Sequence, residues 1–425
     1  MKEEFLHFLW QYKLFNKANL TSVKGGVVEV LDSGSYNTNS GPDFLNSKLK
    51  IDDQLWVGNV EIHIKSSDWY AHHHEKDKNY DAVILHVVWE HDTNVFMKNN
   101  HPLPTVELQR FVQEDVLANY RKLFLKEQRW IPCEKEIGEI NSFLLNNWLE
   151  RLYFERLENK SVVIKELLQK SNNDYEAVLF QLLAKNFGLK VNGAAFLELA
   201  ESFDFSVLRK VRFDEEQLLA LLFGQAGFLA DEVEDSYYQQ LQKEYTYLQH
   251  KHRLRAMAMA KHRFQFFRMR PNNFPTVRIA QLGTLYSKYQ SLFSSLMDVN
   301  RIEDFYNLFT IEVNKFWKTH YTFESESKKS VKRLTKSFID LLIINTIIPL
   351  KFVYEQDRGE VNEEGLLKLI QQLHPEKNSI INKFAELKIK AKNAFESQAL
   401  LELKNNYCVN TRCLSCRIGN DLLKK

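Results

Sequence analysis

The spacing of apolar residues changes once along this chain, and that change most constrains the fold. Before about Val116 the apolar runs are short and typical of strands, after one short amphipathic helix near Glu3–Tyr12. The strand-like runs are Val27–Leu31, Leu45–Ile51, Trp56–Lys65 and Ala82–Trp89. The later runs have helical spacing, as in Phe143–Leu157, Tyr175–Phe187, Glu215–Leu229 and Val331–Phe352.

The length of 425 residues gives room for two or three domains at roughly 100–200 residues each. We therefore predict an α/β domain over residues 1–115, with a mixed sheet flanked by helices. A mainly α-helical region should follow over residues 116–425.

Composition indicates a folded, soluble chain, with 44% hydrophobic and 26% charged residues. The first residues, MKEEFLHFLW, lack the features of a secretory signal. The longest apolar run, Ile339–Phe352, is shorter than the ~20 residues a membrane span needs and contains Asp340, Asn345 and Pro349. We expect a buried helix there, and a cytoplasmic protein with no membrane partner.

Ionisable residues share one face of the predicted strand Trp56–Lys65. Side chains alternate along a strand, so Val60, Ile62 and Ile64 point one way, and Glu61, His63 and Lys65 point the other. Such a face is costly unless it meets solvent, a metal or a substrate. An exposed strand face is the simplest interpretation.

The segment Gly41-Pro42-Asp43 favours a metal site instead, because Asp43 can reach the same end of the sheet as Glu61. Two carboxylates suit Mg²⁺ or Mn²⁺, which can activate water and neutralise charge on a phosphodiester. His63 or Lys65 could orient or deprotonate that water. The predicted catalytic residues are Asp43, Glu61, His63 and Lys65, and the first two are the predicted metal ligands.

These residues resemble the signature of the PD-(D/E)XK nucleases, whose core order is helix, three strands, helix, strand. The resemblance implies a restriction-endonuclease-like fold and a nuclease activity. It depends on Pro42-Asp43 followed by Glu61. His63 stands where the signature lysine is expected, and Lys65 lies two residues further, roughly 6.6 Å along a strand.

The run His72-His73-His74 lies between the last two predicted strands. A solvated turn is one interpretation, because consecutive histidines on a helix cannot all face one centre. A zinc site formed by His63, His72, His74 and His86 is another, and it requires three converging imidazoles. His86 interrupts an apolar strand, so we expect a buried histidine with a partner such as Asp81 or Glu61.

More widely, several short sequence motifs resemble those of a bacterial family described as a domain of unknown function. They are Gly41-Pro-Asp-Phe44, Gly58-Asn-Val-Glu-Ile-His63, Asp68-Trp69, Tyr80-Asp81 and Arg270-Pro-Asn-Asn-Phe-Pro-Thr276. The resemblance runs from near the N-terminus to the final cysteines.

The chain has four cysteines: Cys133, and then Cys408, Cys413 and Cys416 in a C-x₄-C-x₂-C arrangement. Without an export signal we expect reduced thiols. Four thiolates form a complete ligand set for Zn²⁺ or an iron–sulfur cluster, and unligated thiols are the alternative. A four-cysteine cluster also occurs in nucleases of the CRISPR-associated and helicase–nuclease types, which this layout resembles.

Basic residues accumulate between Tyr245 and Met297, a span without Asp or Glu. Basic and aromatic side chains alternate in Lys261–Arg270, which could bind phosphates and stack on bases. A core helix that buries Phe264 and Phe267 beneath a charged face is equally consistent. The predicted nucleic-acid-binding residues are Lys251, Arg253, Lys261, Arg263, Arg268, Arg270 and Arg278.

Two functions follow from these patterns. The first is a metal-dependent nuclease that hydrolyses phosphodiester bonds of DNA or RNA. The second is a non-catalytic nucleic-acid or protein-binding scaffold with a degraded nuclease-like site, which the His63 substitution favours.

Overall fold

The computed structural model describes residues 1–124, 129–254 and 258–425, which form two compact units. The first unit contains Met1–Leu149, Asn382–Lys390 and Leu401–Lys425, and the second contains Glu150–Ile381 and Ala391–Leu400. The first unit therefore extends past residue 115, and it includes the C-terminal segment as well.

A mixed sheet lies in the first unit, as predicted, and it has six strands where the alternating runs predict four. Its strands are β1 (Val28–Asp32), β2 (Ser35–Tyr36), β3 (Phe44–Ile51), β4 (Gln54–Lys65), β5 (Val83–Glu90) and β6 (Thr105–Glu107). The order is β1-β3-β4-β5-β6, with β2 also paired to β3. The β1-β3-β4 pairs are antiparallel and the β4-β5-β6 pairs are parallel.

The β3–β4 hairpin positions the residues that matter most below. Asp52 and Asp53 both have positive φ, 47° and 67°, as a two-residue turn of this kind requires. This turn sets Ile51 opposite Gln54, and the register shifts near Phe44 so that Phe44 faces Val60. Asp43 consequently lies beside the stretch of β4 that carries Glu61.

The first helix, α1 (Glu3–Gln11), is buried more completely than an amphipathic pattern predicts. Every residue from Phe5 to Trp10 is buried, including His7. The Trp10 indole donates a hydrogen bond to the Ser33 carbonyl (3.1 Å), which ties α1 to the loop after β1. The connection from β4 to β5 contains the one-turn helix α2 (Asp68–Ala71) and two 3₁₀ turns, His74–Lys76 and Lys78–Tyr80.

The remainder is mostly helical, as predicted. Helix α3 (Glu114–Phe124) lies in the first unit, and α4 (Ser142–Lys170) begins in the first unit and continues into the second. The helices that follow are α5 (Tyr175–Phe187), α6 (Leu189–Glu201), α7 (Phe205–Val211), α8 (Glu215–Gln225), α9 (Ser236–His252), α10 (Pro275–Lys288), α11 (Leu292–Met297), α12 (Ile302–Leu308), α13 (Lys315–Thr319), α14 (Lys336–Leu342), α15 (Ile348–Asp357), α16 (Glu363–Gln371), α17 (Ser379–Glu386), α18 (Ala394–Glu402) and α19 (Arg417–Lys424).

The predicted apolar helix is continuous from α14 to α15 through a π-helical segment, Ile343–Ile347. Pro349 lacks an amide N–H, and a π turn just before it relieves the conflict with regular helical bonding. Within the described residues, Lys336–Asp357 is the one helix long and apolar enough to cross a membrane, and 72% of its most apolar 18-residue stretch is buried inside the protein. A core helix passes the same test, so this finding is weak evidence for a membrane span.

Candidate metal centre

Three histidines converge at the end of β4. His63 lies on β4, and His72 and His74 lie in the turn between α2 and β5. Their ligand nitrogens all lie within 4.8 Å of one another. The structure thus brings together three of the four histidines named above for a zinc site.

The local backbone explains how neighbouring histidines can face one point. α2 ends at Ala71, and His73 then adopts a left-handed conformation (φ 61°, ψ 30°). This reverses the chain, so the run is not a helix, and His72 and His74 both approach His63. The His74 ring stacks on Tyr80 at 3.7 Å between centroids, which fixes its orientation.

Glu61 joins these histidines two residues before His63. One carboxylate oxygen, Oε1, lies 3.4 Å from His63 Nε2 and 3.3 Å from His74 Nε2. His63 Nε2 lies 3.2 Å from His72 Nδ1. Ligand atoms ~2.05 Å from a tetrahedral ion are about 3.3 Å apart, so these three distances match the edges of a tetrahedral site. We call His63, His72, His74 and Glu61 the histidine centre.

His86 forms a hydrogen bond with the other ring nitrogen of His63. Its Nε2 lies 2.9 Å from His63 Nδ1, because β5 runs parallel to β4 with Glu61 opposite His86. The partner of His86 is therefore His63, and not the expected Asp81 or Glu61. A histidine that binds a metal usually engages its other nitrogen in this way, which fixes the ring and its tautomer.

Hydrogen bonds from backbone amides connect Asp43 with the Glu61 segment of β4. The Asp43 amide donates to Glu61 Oε2 (3.2 Å), and the Ile62 amide donates to Asp43 Oδ2 (2.9 Å). His7 Nε2 lies 3.3 Å from the same Asp43 oxygen, and His7 Nδ1 lies 3.2 Å from the Tyr36 hydroxyl. The sequence analysis did not predict that His7 lies beside Asp43. A single histidine inside the apolar run of α1 could have indicated a buried polar contact there.

The ionisable groups of the centre are strongly perturbed. Burial, together with neighbouring imidazoles, lowers the pKa of His63 to about 2 and that of His86 to about 3. Burial and the Asp43 charge raise the pKa of Glu61 to about 9. His63 and His86 are therefore neutral at pH 7, which is the form of an imidazole that binds a metal. A cation at the centre would displace the proton of Glu61.

Burial also decides between the two interpretations of the β4 face. The exposed fractions of Glu61 and His63 are 5% and 2%, so this part of the strand is not an exposed face. Lys65 is different, because its side chain is half exposed and its ammonium lies 4.0 Å from Glu90. The contacts of the histidine centre do not include Lys65.

The four cysteines lie together in the first unit. Cys133, Cys408, Cys413 and Cys416 are free thiols that line one narrow cavity. Burial raises the pKa of Cys133, and the other three cysteines raise it further, which reflects their proximity.

The predicted nucleic-acid-binding residues all lie in the second unit, and the structure separates them into two groups. Lys261 pairs with Asp231 (2.8 Å) and Glu324 (3.0 Å), and Arg263 pairs with Glu198. Arg278 is buried and donates to Gln281 and Asn273. The other four, Lys251, Arg253, Arg268 and Arg270, are exposed.

The segment Lys261–Arg270 is not the helix that one interpretation required. It contains only a 3₁₀ turn at Lys261–Arg263, and Arg268 has a left-handed φ of 59°. Phe264 is buried as expected, whereas Phe267 is 78% exposed. The prediction that both rings pack inward is therefore wrong for Phe267.

These features belong to a chain with an N-terminal mixed sheet, a mainly helical remainder and a partly buried cluster of histidines. A family model described as "Protein of unknown function (DUF2851)" matches residues 3–379, so the chain belongs to that family. The expected resemblance to a family of this description is confirmed. No curated protein and no solved structure matches the chain.

Proposed function

We propose that this protein is a metal-dependent hydrolase of phosphodiester bonds in DNA or RNA, and that its metal is bound at the histidine centre. The observation that carries the proposal is the convergence of three imidazoles, with the Glu61 carboxylate 3.4 Å from one of them and 3.3 Å from another. A divalent cation held there would polarise water and a phosphoryl oxygen.

The order of elements supports the phosphodiester class. The chain runs from α1 through the antiparallel strands β1, β3 and β4, then through short α2 to β5, parallel to β4. This order resembles that of the PD-(D/E)XK core, with α2 reduced to one turn. We assign Asp43 and Glu61 to the two signature carboxylates, and the Asp43 amide donates a hydrogen bond to the Glu61 carboxylate.

The ligand set differs from the one the signature implies. In place of a lysine beside two carboxylates, His63 contributes an imidazole, with His72 and His74 adjacent. Imidazole nitrogens favour Zn²⁺ and other transition ions, whereas carboxylates alone favour Mg²⁺ or Mn²⁺. We therefore propose that Zn²⁺ or Mn²⁺ binds more tightly than Mg²⁺.

The chain's own residues have separable roles in this proposal. His63, His72 and His74 bind the cation, and His86 orients His63. Glu61 is close enough to complete the ligand set or to accept a proton from water, and Asp43 positions it through the amide hydrogen bond.

The test compares two neighbouring histidines. His72→Ala removes a proposed ligand, and His73→Asn changes an exposed residue while tolerating its left-handed backbone. Calorimetric titration with Zn²⁺ and Mn²⁺ should show binding to the wild type and to His73→Asn, and its loss in His72→Ala. Cleavage of single- or double-stranded DNA or RNA should likewise occur with the wild type and with His73→Asn, and should be lost in His72→Ala. Equal metal binding in all three chains would refute the proposal.

A second candidate function is the non-catalytic scaffold. The observation in its favour is Lys65, which lies beside Glu90 and is not in contact with Glu61. Exposed Arg268 and Arg270, next to exposed Phe267, would then bind nucleic acid in the second unit. This function predicts salt-sensitive binding that Arg268→Ala weakens, with no cleavage by any metal-loaded form.

A further inference from the structure

The four cysteines come from two distant parts of the chain and meet within the first unit. Cys133 follows Pro132 in the loop before α4, and the other three lie in the C-terminal segment. Cys408 ends a π-helical segment, Cys413 begins a 3₁₀ turn, and Cys416 immediately precedes α19. All four line the same narrow cavity, and the chain contains no further cysteine.

The backbone around Cys413 and Cys416 is tightly determined. The Asn420 side chain donates to the Leu414 and Cys416 carbonyls, at 2.9 and 2.8 Å. A side chain at Gly419 would place its Cβ 2.2 Å from the Cys413 carbonyl oxygen, so only glycine permits this close approach. The loop is therefore held in one conformation with both cysteines buried at the cavity.

Burial raises the pKa of the Cys416 thiol, and the amides of Ile418 and Gly419, at the start of α19, act in the opposite direction. Burial and the neighbouring Cys416 and Cys413 likewise raise the pKa of Cys408, and the Lys404 ammonium opposes that rise. A buried thiolate needs such compensating groups, or a bound cation, to be stable.

We propose that Cys133, Cys408, Cys413 and Cys416 hold a metal centre through four thiolates, either a zinc ion or an iron–sulfur cluster. Soft thiolate ligands suit both, and a closed set of four protein ligands leaves no open position for a substrate. This centre is separate from the histidine centre. It fastens the C-terminal segment to the Cys133 loop within the first unit.

The experiment measures metal in chains purified without oxygen and without a histidine tag. The chain with His72→Ala and His74→Ala should retain stoichiometric zinc or iron, because the thiolates are intact. Visible absorption distinguishes an iron–sulfur cluster from colourless zinc. Cys416→Ser should lose this metal, whereas Ser415→Ala, an exposed neighbour, should keep it. Retention of all metal by Cys416→Ser, or its loss from the histidine double variant, would overturn the proposal.

A second measurement needs no cysteine variant, in case Cys416→Ser does not fold. The thiols of the intact wild type should react with a disulfide reagent only after metal is released, and the released metal should rise in step with the reacted thiols. Rapid reaction of the native thiols with no release of zinc or iron would also overturn the proposal. Neither result depends on nuclease activity.

Discussion

His73 shows how one residue's conformation controls a site to which it contributes no ligand. Its left-handed backbone places His72 and His74 on the same side of the chain. The sequence predicted Glu61 and His63 from strand alternation, which needs only a period of two. It left the His72–His74 run open, because nothing in three consecutive histidines specifies where the chain reverses.

The hydrogen bond between His86 and His63 should tune metal affinity. His86→Phe would remove the partner of His63 Nδ1 and free the ring to rotate. Loss of such a partner typically lowers metal affinity by about 10–100-fold. Calorimetric titration with Zn²⁺ would measure this, with exposed His101→Ala as the control. Unchanged affinity in a folded His86→Phe chain would show that His63 is held by other contacts.

Burial of His86 should make the metal-free protein acid-sensitive. Its folded pKa is about 3, below the ordinary 6.5, and the groups that act on it are His63, His74 and His91. The unfolded chain therefore binds more protons, so stability falls as pH drops from about 6.5 toward 3, by up to ~1.4 kcal/mol per pH unit for this group.

Urea denaturation of chelator-treated protein between pH 7 and pH 4 would measure this loss. His86→Phe should show a shallower dependence on pH than the wild type, since it lacks the titrating imidazole. Parallel curves for the two chains would mean that His86 binds the same number of protons in the folded state as in the unfolded state, which would contradict the lowered pKa.

At the scale of elements, predicted strands agree with the observed ones within about two residues, because alternation and the Asp52-Asp53 turn specify them locally. The parallel pairing of β4 and β5 and the shifted register near Phe44 depend on contacts distant in sequence. The same limit explains Lys261–Arg270. Lys261 pairs with Asp231 and Glu324, and Arg263 pairs with Glu198, all from other segments, so local composition did not reveal the role of these two residues.

Gly58 lies where β4 closely approaches the start of β5. A Cβ there would lie 2.5 Å from Ile84 Cγ2 and 2.7 Å from the Ala82 carbonyl oxygen. Gly58→Ala should therefore destabilise the protein by about 1–3 kcal/mol, the usual cost of overpacking. Urea denaturation would measure it against Val57→Ala, an exposed neighbour on the same strand expected to change stability by less than ~0.5 kcal/mol. Equal stability of the two variants would contradict the packing argument.

At the scale of the whole molecule, the first compact unit is completed by the chain's last segment. Leu423 and Ile418 of α19 are buried, and the Lys424 ammonium lies 3.7 Å from the centre of the Tyr12 ring. A division of the sequence by composition could not show this return, because the C-terminal segment has the same helical pattern as the second unit. The two proposed metal centres thus both belong to the first unit.

Metal binding at the histidine centre should be visible in the stability of the entire chain. A ligand that binds only the folded state stabilises it by about 2.7 kcal/mol at a free concentration 100 times its Kd. The melting temperature of chelator-treated wild type should therefore rise as Mn²⁺ is added, an ion that thiolates bind weakly, and His73→Asn should respond equally. His72→Ala should show little rise, because three ligand atoms no longer converge. A similar rise in His72→Ala would place the stabilising ion elsewhere, and the cysteine variant Cys416→Ser would then identify whether the thiolate centre is responsible.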